Sequence, residues 1–297
     1  MTASGIPINN RPNLPRSPVA AALLRSVART PLNVLLATVA LLWLIPTLGL
    51  FLTSLLSPVE ISQGGWWRVL SQPALLTVEN YRDILANEAI TSALITTLWV
   101  SVGGTAATLL LAAFTAYAFA WLEFPGRDWL FLCVVALLVV PVQMTLIPLF
   151  SLYNDVGLFD TVLGLILFHT AFGLPFSIFL LRNFFLGIPK DLFEAGRIDG
   201  GSTLQLFWRI ALPLGRPALA SLAIFEFLWN WNDFLIALTF GRDTQVVTVA
   251  IFSQLRQYGS NIELIAPASF LSLALPLVVF FAFQRSFASG LLAGSVD

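Results

Sequence analysis

Apolar residues fall into six blocks separated by polar breaks, over roughly 32–56, 90–121, 129–152, 161–186, 216–240 and 265–284. Each block holds about twenty residues or more, the length a helix rising 1.5 Å per residue needs to cross about 30 Å of hydrocarbon. No water is present at that depth to satisfy a free backbone, so an apolar run of this length folds as a helix. The pattern predicts an all-α polytopic membrane protein with six transmembrane helices. Its domains are expected to be a polar, Pro-rich and disordered lead over 1–30, a first span and outer loop over 31–88, a five-helix core over 89–285, and a short tail over 286–297. No small-residue cleavage site follows the first apolar block, so that span is expected to be retained.

Details inside the blocks change the picture locally. Pro46 is expected to bend the first span. The second is rich in small residues, among them Gly103, Gly104, Ala106, Ala107, Ala112 and Ala113, a composition that favours close helix packing inside a bundle. In the third, Pro141 and Pro148 bracket Gln143 and Met144; each proline removes a helical donor, and the carbonyls so freed are tolerated only where protein or water covers them. The outer loop carries GGWWR and LTVENYRDIL, the latter a predicted amphipathic helix, with Trp66, Trp67 and Tyr81 suited to a membrane interface. A second polar loop is expected over 241–264.

The longest polar interruption in the second half runs from Gly187 to Pro217. Within it IPKDLFEAGRIDGG predicts one short helix: Pro189 suits the first turn, Asp191 lies at the positive N-terminal end, and Gly200-Gly201 supplies the stop. Leu192, Ala195, Gly196 and Asp199 recur at i, i+3, i+4 and i+7 and share one face, narrow where Ala195 and Gly196 stand.

Composition narrows the class. With 58% apolar and 10% charged side chains and a mean hydropathy of +0.86, a soluble domain is excluded. A net charge of -1 argues against nucleic acid as a partner. The single cysteine, Cys133, cannot form an internal disulfide and is expected to be a buried small apolar residue. The basic residues lie unevenly: Arg11, Arg16, Arg25, Arg29, Arg127, Arg182, Lys190, Arg197, Arg209, Arg216 and Arg285 fall on the N-terminal side, against Arg68, Arg82, Arg242 and Arg256 on the other. By the positive-inside rule both termini and the Gly187–Pro217 loop are cytoplasmic.

Charged residues at membrane depth are costly and are candidates for function. Glu226, Asn230, Asp233 and Ala237 recur at i, i+4, i+7 and i+11 in the fifth span, flanked by Trp229 and Trp231. Carboxylate and amide groups can pair with sugar hydroxyls while an indole covers a sugar's C–H face. The same groups could instead hydrogen-bond neighbouring helices and serve assembly. Gln143, between its two prolines, is a further candidate for a translocation path. His169, the only histidine, either lines the path or sits as a neutral hydrogen-bonded core residue. No metal-ligand spacing, phosphate-binding loop or dinucleotide glycine set occurs, so any energy source must reside in another chain.

The order Glu194, Ala195, Gly196, then Gly200, then Ile210, Leu212 and Pro213 resembles the EAA loop of ABC-importer permeases. In that family the loop is the coupling helix that docks on the cytoplasmic ATPase. The resemblance therefore implies that Leu192, Glu194, Ala195, Gly196, Asp199 and Gly200 meet such a partner. Gly196 departs from the usual Ala and costs about 1 kcal/mol of helix propensity. Together with TVENY, the small-residue second span, WNDFL and a Gly-rich tail, the likeness covers residues 70 to 297 and is to the second permease subunit of carbohydrate-type ABC importers. It implies half of a sugar pathway in a bacterial inner membrane, a homologous permease partner, an ATPase dimer that binds the ATP and Mg, an extracytoplasmic sugar-binding protein, and no cofactor in this chain. The GGWWR loop resembles the branch that handles α-glucosides such as trehalose, maltose or glucosylglycerol. Residues 288 to 297 are expected to reach the ATPase dimer. The alternative is an ion-gradient-driven transporter using Glu226 and Asp233; an intramembrane enzyme lacks a plausible catalytic set.

Overall fold

The computed structural model describes residues 18–258 and 262–293, with side chains described over 30–255 and 262–283. It is helical throughout: α1 (Pro18–Ser54), α2 (Pro58–Gln63), α3 (Glu79–Ala86), α4 (Glu88–Trp121), α5 (Arg127–Leu137), α6 (Val142–Asp155), α7 (Val162–Leu186), α8 (Lys190–Ile198), α9 (Thr203–Leu206), a π turn at Phe207–Ala211, α10 (Leu212–Leu214), α11 (Arg216–Trp231), α12 (Leu235–Phe240), α13 (Val247–Tyr258) and α14 (Ile262–Ala293). Four helices are long and apolar enough to cross a membrane, over Thr30–Ser54, Glu88–Trp121, Val162–Leu186 and Ile262–Phe283. Two bent pairs bring the number to six if each pair is one span.

The first bent pair covers the third apolar block, whereas the second begins inside the Gly187–Pro217 loop and covers only the first part of the fifth block. α5 and α6 meet at 98°, and Thr203–Leu214 meets α11 at 73°. The first break falls at Pro141, which precedes α6, while Pro148 lies inside that helix. The fifth block departs from one continuous helix. α11 stops at Trp231, and the Asp233 carboxylate accepts from the N–H groups of Ile236 (3.2 Å) and Ala237 (2.9 Å), starting α12 anew. A short carboxylate side chain that captures backbone donors competes with helix continuation.

Three other expectations change. Residues 18–30 are helical as the start of α1 rather than part of a disordered lead, consistent with the strong helix formers in VAAALLR. The loop over 241–264 contains α13, and α14 runs through 286–293. Residues 1–17 of the lead and 294–297 of the tail lie outside the described residues. Cys133 is exposed rather than buried, because it lies on α5, a helix none of whose residues is buried within this chain.

α4 and α7 form the centre. Small residues on α4 make the approach possible: a Cβ on Gly103 would lie 2.6 Å from Ile166 Cδ1 of α7. One apolar core gathers Ala112, Ala116 and Tyr117 of α4, Leu181 and Phe185 of α7, and Phe193 of α8. A second core, built on Phe168 and Phe240, occupies the other end of the bundle. The loop after α1 is tied down by Asn80 of α3, whose amide donates to the carbonyls of Ser54 (3.0 Å) and Leu56 (2.7 Å).

Candidate functional site

Two places carry the chemistry: α8 at one end of the bundle, and the α6–α11 face along its side. α8 ends in a Schellman turn. Gly200 adopts φ 80° and its N–H donates to Arg197 O (3.0 Å), while Gly201 N–H donates to Gly196 O (2.9 Å). The chain then restarts with a reciprocal cap, Ser202 N–H to Gln205 Oε1 (2.8 Å) and Gln205 N–H to Ser202 Oγ (3.3 Å). Leu192, Glu194, Ala195, Asp199 and Gly200 are all exposed.

Gly196 differs from its neighbours. A Cβ there would meet Leu206 Cδ2 at 2.5 Å, so the narrow part of this face is filled by the chain's own α9. The residue that anchors the helix is Phe193, 1% exposed, between Tyr117 and Trp121 of α4. Sequence reasoning did not single it out. Its signal was present, since Phe193 is the largest apolar side chain of α8 and stands at i, i+3 to Gly196, on the flank that turns toward the bundle.

On the α6–α11 face an open cavity of about 770 Å³ is lined by Gln143, Trp229 and Asp233 together with Phe225 and Asn232, neither of which the sequence pattern selected. A neighbouring cavity of about 430 Å³ shares Phe225 and Trp229 and is bordered by Glu226 and Gly173. Trp229 is 59% exposed in this chain, and its ring stacks with Phe225 at 6.5 Å and 20°.

The other members of the predicted stripe are held inside. Asn230 is buried and its amide donates to Thr105 Oγ1 (3.4 Å). Trp231 is buried and its Nε1 donates to Ser272 O of α14 (2.8 Å). Glu226 is buried, with Oε1 accepting from Ser177 Oγ (3.0 Å) and Oε2 without a hydrogen-bond partner. His169 Nε2 stands 3.5 Å from Asp233 Oδ2, longer than an ordinary N–H···O bond, and both ring nitrogens are buried without one. The stripe thus divides into cavity wall and helix–helix contact.

At the end of the bundle away from α8, Asp160 joins two loops. It adopts φ 58°, and its Oδ1 accepts from the N–H groups of Asp243 (2.9 Å) and Thr244 (2.8 Å). Burial pushes this carboxyl up from its usual 3.8, but the hydrogen bonds from Thr244 and Asp243 outweigh it and hold the pKa below that value. Among the described residues no group of three or more His, Cys, Asp or Glu side chains could hold a metal ion.

The family model described as binding-protein-dependent transport system inner membrane component matches residues 108–291, which take in α8, the Schellman turn and the cavity-lining part of α11. The chain belongs to this family. The permease is 43% identical over 274 residues to the osmoprotective compounds uptake permease protein of Synechocystis sp., a match covering 90% of this chain and 92% of that one. It is 47% identical over 232 residues to the alpha-glucoside transport system permease protein of Rhizobium meliloti, covering 75% of this chain and 61% of the relative. The trehalose transport system permease protein of Mycobacterium tuberculosis is 35% identical, with 85% and 92% covered. In fold the permease is similar to a bacterial ABC transporter involved in the import of the acidic polysaccharide alginate, with a TM-score of 0.72 at 23% identity over 93% of this chain and 100% of that one. The permease is accordingly a multi-pass inner-membrane protein.

Proposed function

We propose that the permease forms half of the translocation pathway of an ATP-driven sugar importer, with an α-glucoside or another di- or oligosaccharide as cargo. The names of the relatives support the cargo class, and family membership speaks against the ion-gradient alternative. Its partners in this reading are a homologous permease, an ATPase dimer that binds the ATP and Mg, and an extracytoplasmic sugar-binding protein.

The observation that carries the coupling role is the setting of α8. It is exposed along its length yet fixed at one side chain, Phe193, into the packed ends of α4 and α7. A partner pressing on Leu192, Glu194, Ala195 or Ile198 moves a helix that cannot tilt without moving Tyr117 and Trp121. The Tyr117 hydroxyl also donates to Thr203 O (3.1 Å), so the segment beyond the Schellman turn follows. Closure of the ATPases is transmitted by this route, and rotation of the spans exposes the α6–α11 cavities to one side and then the other. Gln143, Trp229 and Asp233 meet the cargo, Glu226 backs the wall, and Asn230 and Trp231 hold α11 in place.

The test is ATP hydrolysis by the complex purified from native membranes through a tag on this chain, with a sugar panel and the binding protein added. The expected result is an ATPase that copurifies, rises with one sugar, and is uncoupled by Gly200→Val, which places a β-branched residue at φ 80°. A chain recovered in folded form without any ATPase overturns the reading.

A further inference from the structure

GGWWR takes no part in the α8 junction or in the α6–α11 cavities, and it folds into a compact, one-sided turn. Trp66–Leu70 is a single 3-10 helix, in which residues three apart stand on the same face. Val69 is buried and Trp66 partly buried on one face, while Trp67 and Leu70 share another and are 61% and 76% exposed. The two glycines make this shape possible. A Cβ on Gly65 would run into the Trp67 ring, and one on Gly64 would lie 2.7 Å from Arg68 Cδ. The indole is therefore laid against the backbone of Gly65 and the arginine stem against that of Gly64. Arg68 then reaches back to α2, where its Nη1 lies 2.9 Å from Glu60 Oε2 and donates to Glu60 O (3.3 Å). That pairing neutralises the only charged residue between 64 and 75.

The turn is held at the boundary of the spans. It belongs to the connection between Ser54 and Glu88, the last and first residues of two membrane-crossing helices. That connection is bound back at its root: Thr77 N–H donates to Leu55 O (2.7 Å), and the Asn80 amide donates to the carbonyls of Ser54 and Leu56. Ile84 of α3 is buried with Ile90 and Ala93 of α4, Ala250 of α13 and Ala268 of α14. An apolar face fixed at this depth is continuous with the membrane surface that the spans themselves define. Trp121 and Trp231 donate their indole N–H groups to carbonyls of α7 and α14, whereas Trp67 Nε1 bonds no group among the described residues. An interface accepts such a side chain, with the ring among acyl chains and the N–H among glycerol and phosphate oxygens. A protein partner is steered and selected by charges at the patch, and with Arg68 paired this face offers none. We propose that the 66–70 turn is a lipid-binding foot, in which Trp67 and Leu70 enter the phospholipid leaflet at that end of the bundle, held in place by Gly64, Gly65 and the Arg68–Glu60 pair. Of the aromatic residues suited by type to an interface, Trp66 and Tyr81 are not part of it: Trp66 turns inward, and the Tyr81 hydroxyl hydrogen-bonds Ser54 Oγ (2.6 Å). The connection between the first two spans thus rests on the membrane instead of projecting from it. The proposal needs only the inner-membrane placement and no particular cargo.

The contact is read by site-specific photocrosslinking of the full chain, assembled with its own partners in native membranes. The photoreactive amino acid benzoylphenylalanine is placed at position 67, at position 70 or, as a control, at Asp83, an exposed charged position of α3. Position 67 exchanges one exposed aromatic side chain for another and position 70 is exposed, so folding is burdened little at either. After irradiation, mass spectrometry of the peptides carrying these positions should find phospholipid adducts as the main product at 67 and 70. Their yield should exceed that at 83 by at least about fivefold, as expected of an interfacial against a hydrated position. A main product that joins 67 or 70 to the binding protein or to another subunit overturns the proposal and makes this face a protein interface. A lipid yield at 67 and 70 no higher than at 83 also overturns it, because the turn then faces water.

Discussion

The indole of Trp121 lies on the ring of Phe193, centroids 3.9 Å apart and planes 28° from parallel, while its Nε1 donates to Phe185 O (3.1 Å). One side chain of α4 therefore grips the exposed helix α8 and the end of α7 at the same time. In the coupling role proposed above, this junction is one route by which movement of α8 would reach α4 and α7.

Phe193→Ala should remove about 3 kcal/mol of packing and release α8 from the bundle. The expected outcome is a transporter that still assembles but loses at least about tenfold in sugar uptake relative to ATP hydrolysis, read in proteoliposomes by uptake and phosphate release side by side. Trp121→Phe keeps the stack and loses one hydrogen bond, about 1 kcal/mol, so its effect should be much smaller. Equal loss of uptake in both variants would show that the stack is not what transmits.

Gly196 is glycine because Leu206 occupies the space of its Cβ. Gly196→Ala gains about 1 kcal/mol of helix propensity but forces a contact that costs about 1–3 kcal/mol. Net destabilisation is expected, and Leu206→Ala in the same chain should reverse its sign by opening that space. Thermal unfolding of the single and double variants measures the coupling between the two sites.

Asn80 is 4% exposed and its amide is shared between the carbonyls of Ser54 and Leu56. Asn80→Ala leaves both carbonyls without that donor and should cost about 1–3 kcal/mol. The damage should stay local: limited proteolysis within 57–88 is expected to accelerate, while coupling through α8 is preserved.

Asp160 predicts a pH dependence. Its folded pKa lies below the usual 3.8, so the unfolded carboxyl takes up a proton first as pH falls. The stabilisation is therefore complete above about pH 5 and is lost as pH drops through 3.8 toward the folded value. Asp160→Asn, which tolerates φ 58° and still accepts from Thr244 and Asp243, should lower the unfolding temperature at neutral pH and approach wild type as pH falls from 3.8 toward the lower folded value. A difference that grows on acidification would contradict this.

Hydropathy alone placed the apolar blocks, because length and polarity are local properties that the bilayer imposes on every span. It also located α8 and both of its ends, since Pro189 and Gly200 act through their own φ preferences. The helix break at Asn232–Phe234 was not legible, because it depends on the Asp233 carboxylate turning back onto α12 rather than on a proline or glycine. Nor was α13, whose hold on the bundle includes the Thr97 hydroxyl of α4 accepting from Val247 N–H (2.8 Å), 150 residues away.

The sequence by itself determined that this is an all-helical membrane protein with a capped polar helix between its last long spans. Helical periodicity told which residues of 226–233 share a side, but not which way that side turns. Only the tertiary structure decided that Trp229 and Asp233 meet the cavity while Asn230 and Trp231 face α4 and α14, and that Gly196 is filled from within by Leu206. Spacing fixes relative angles around one helix axis, whereas the absolute rotation of that axis is set by packing against partners that lie far away in the chain.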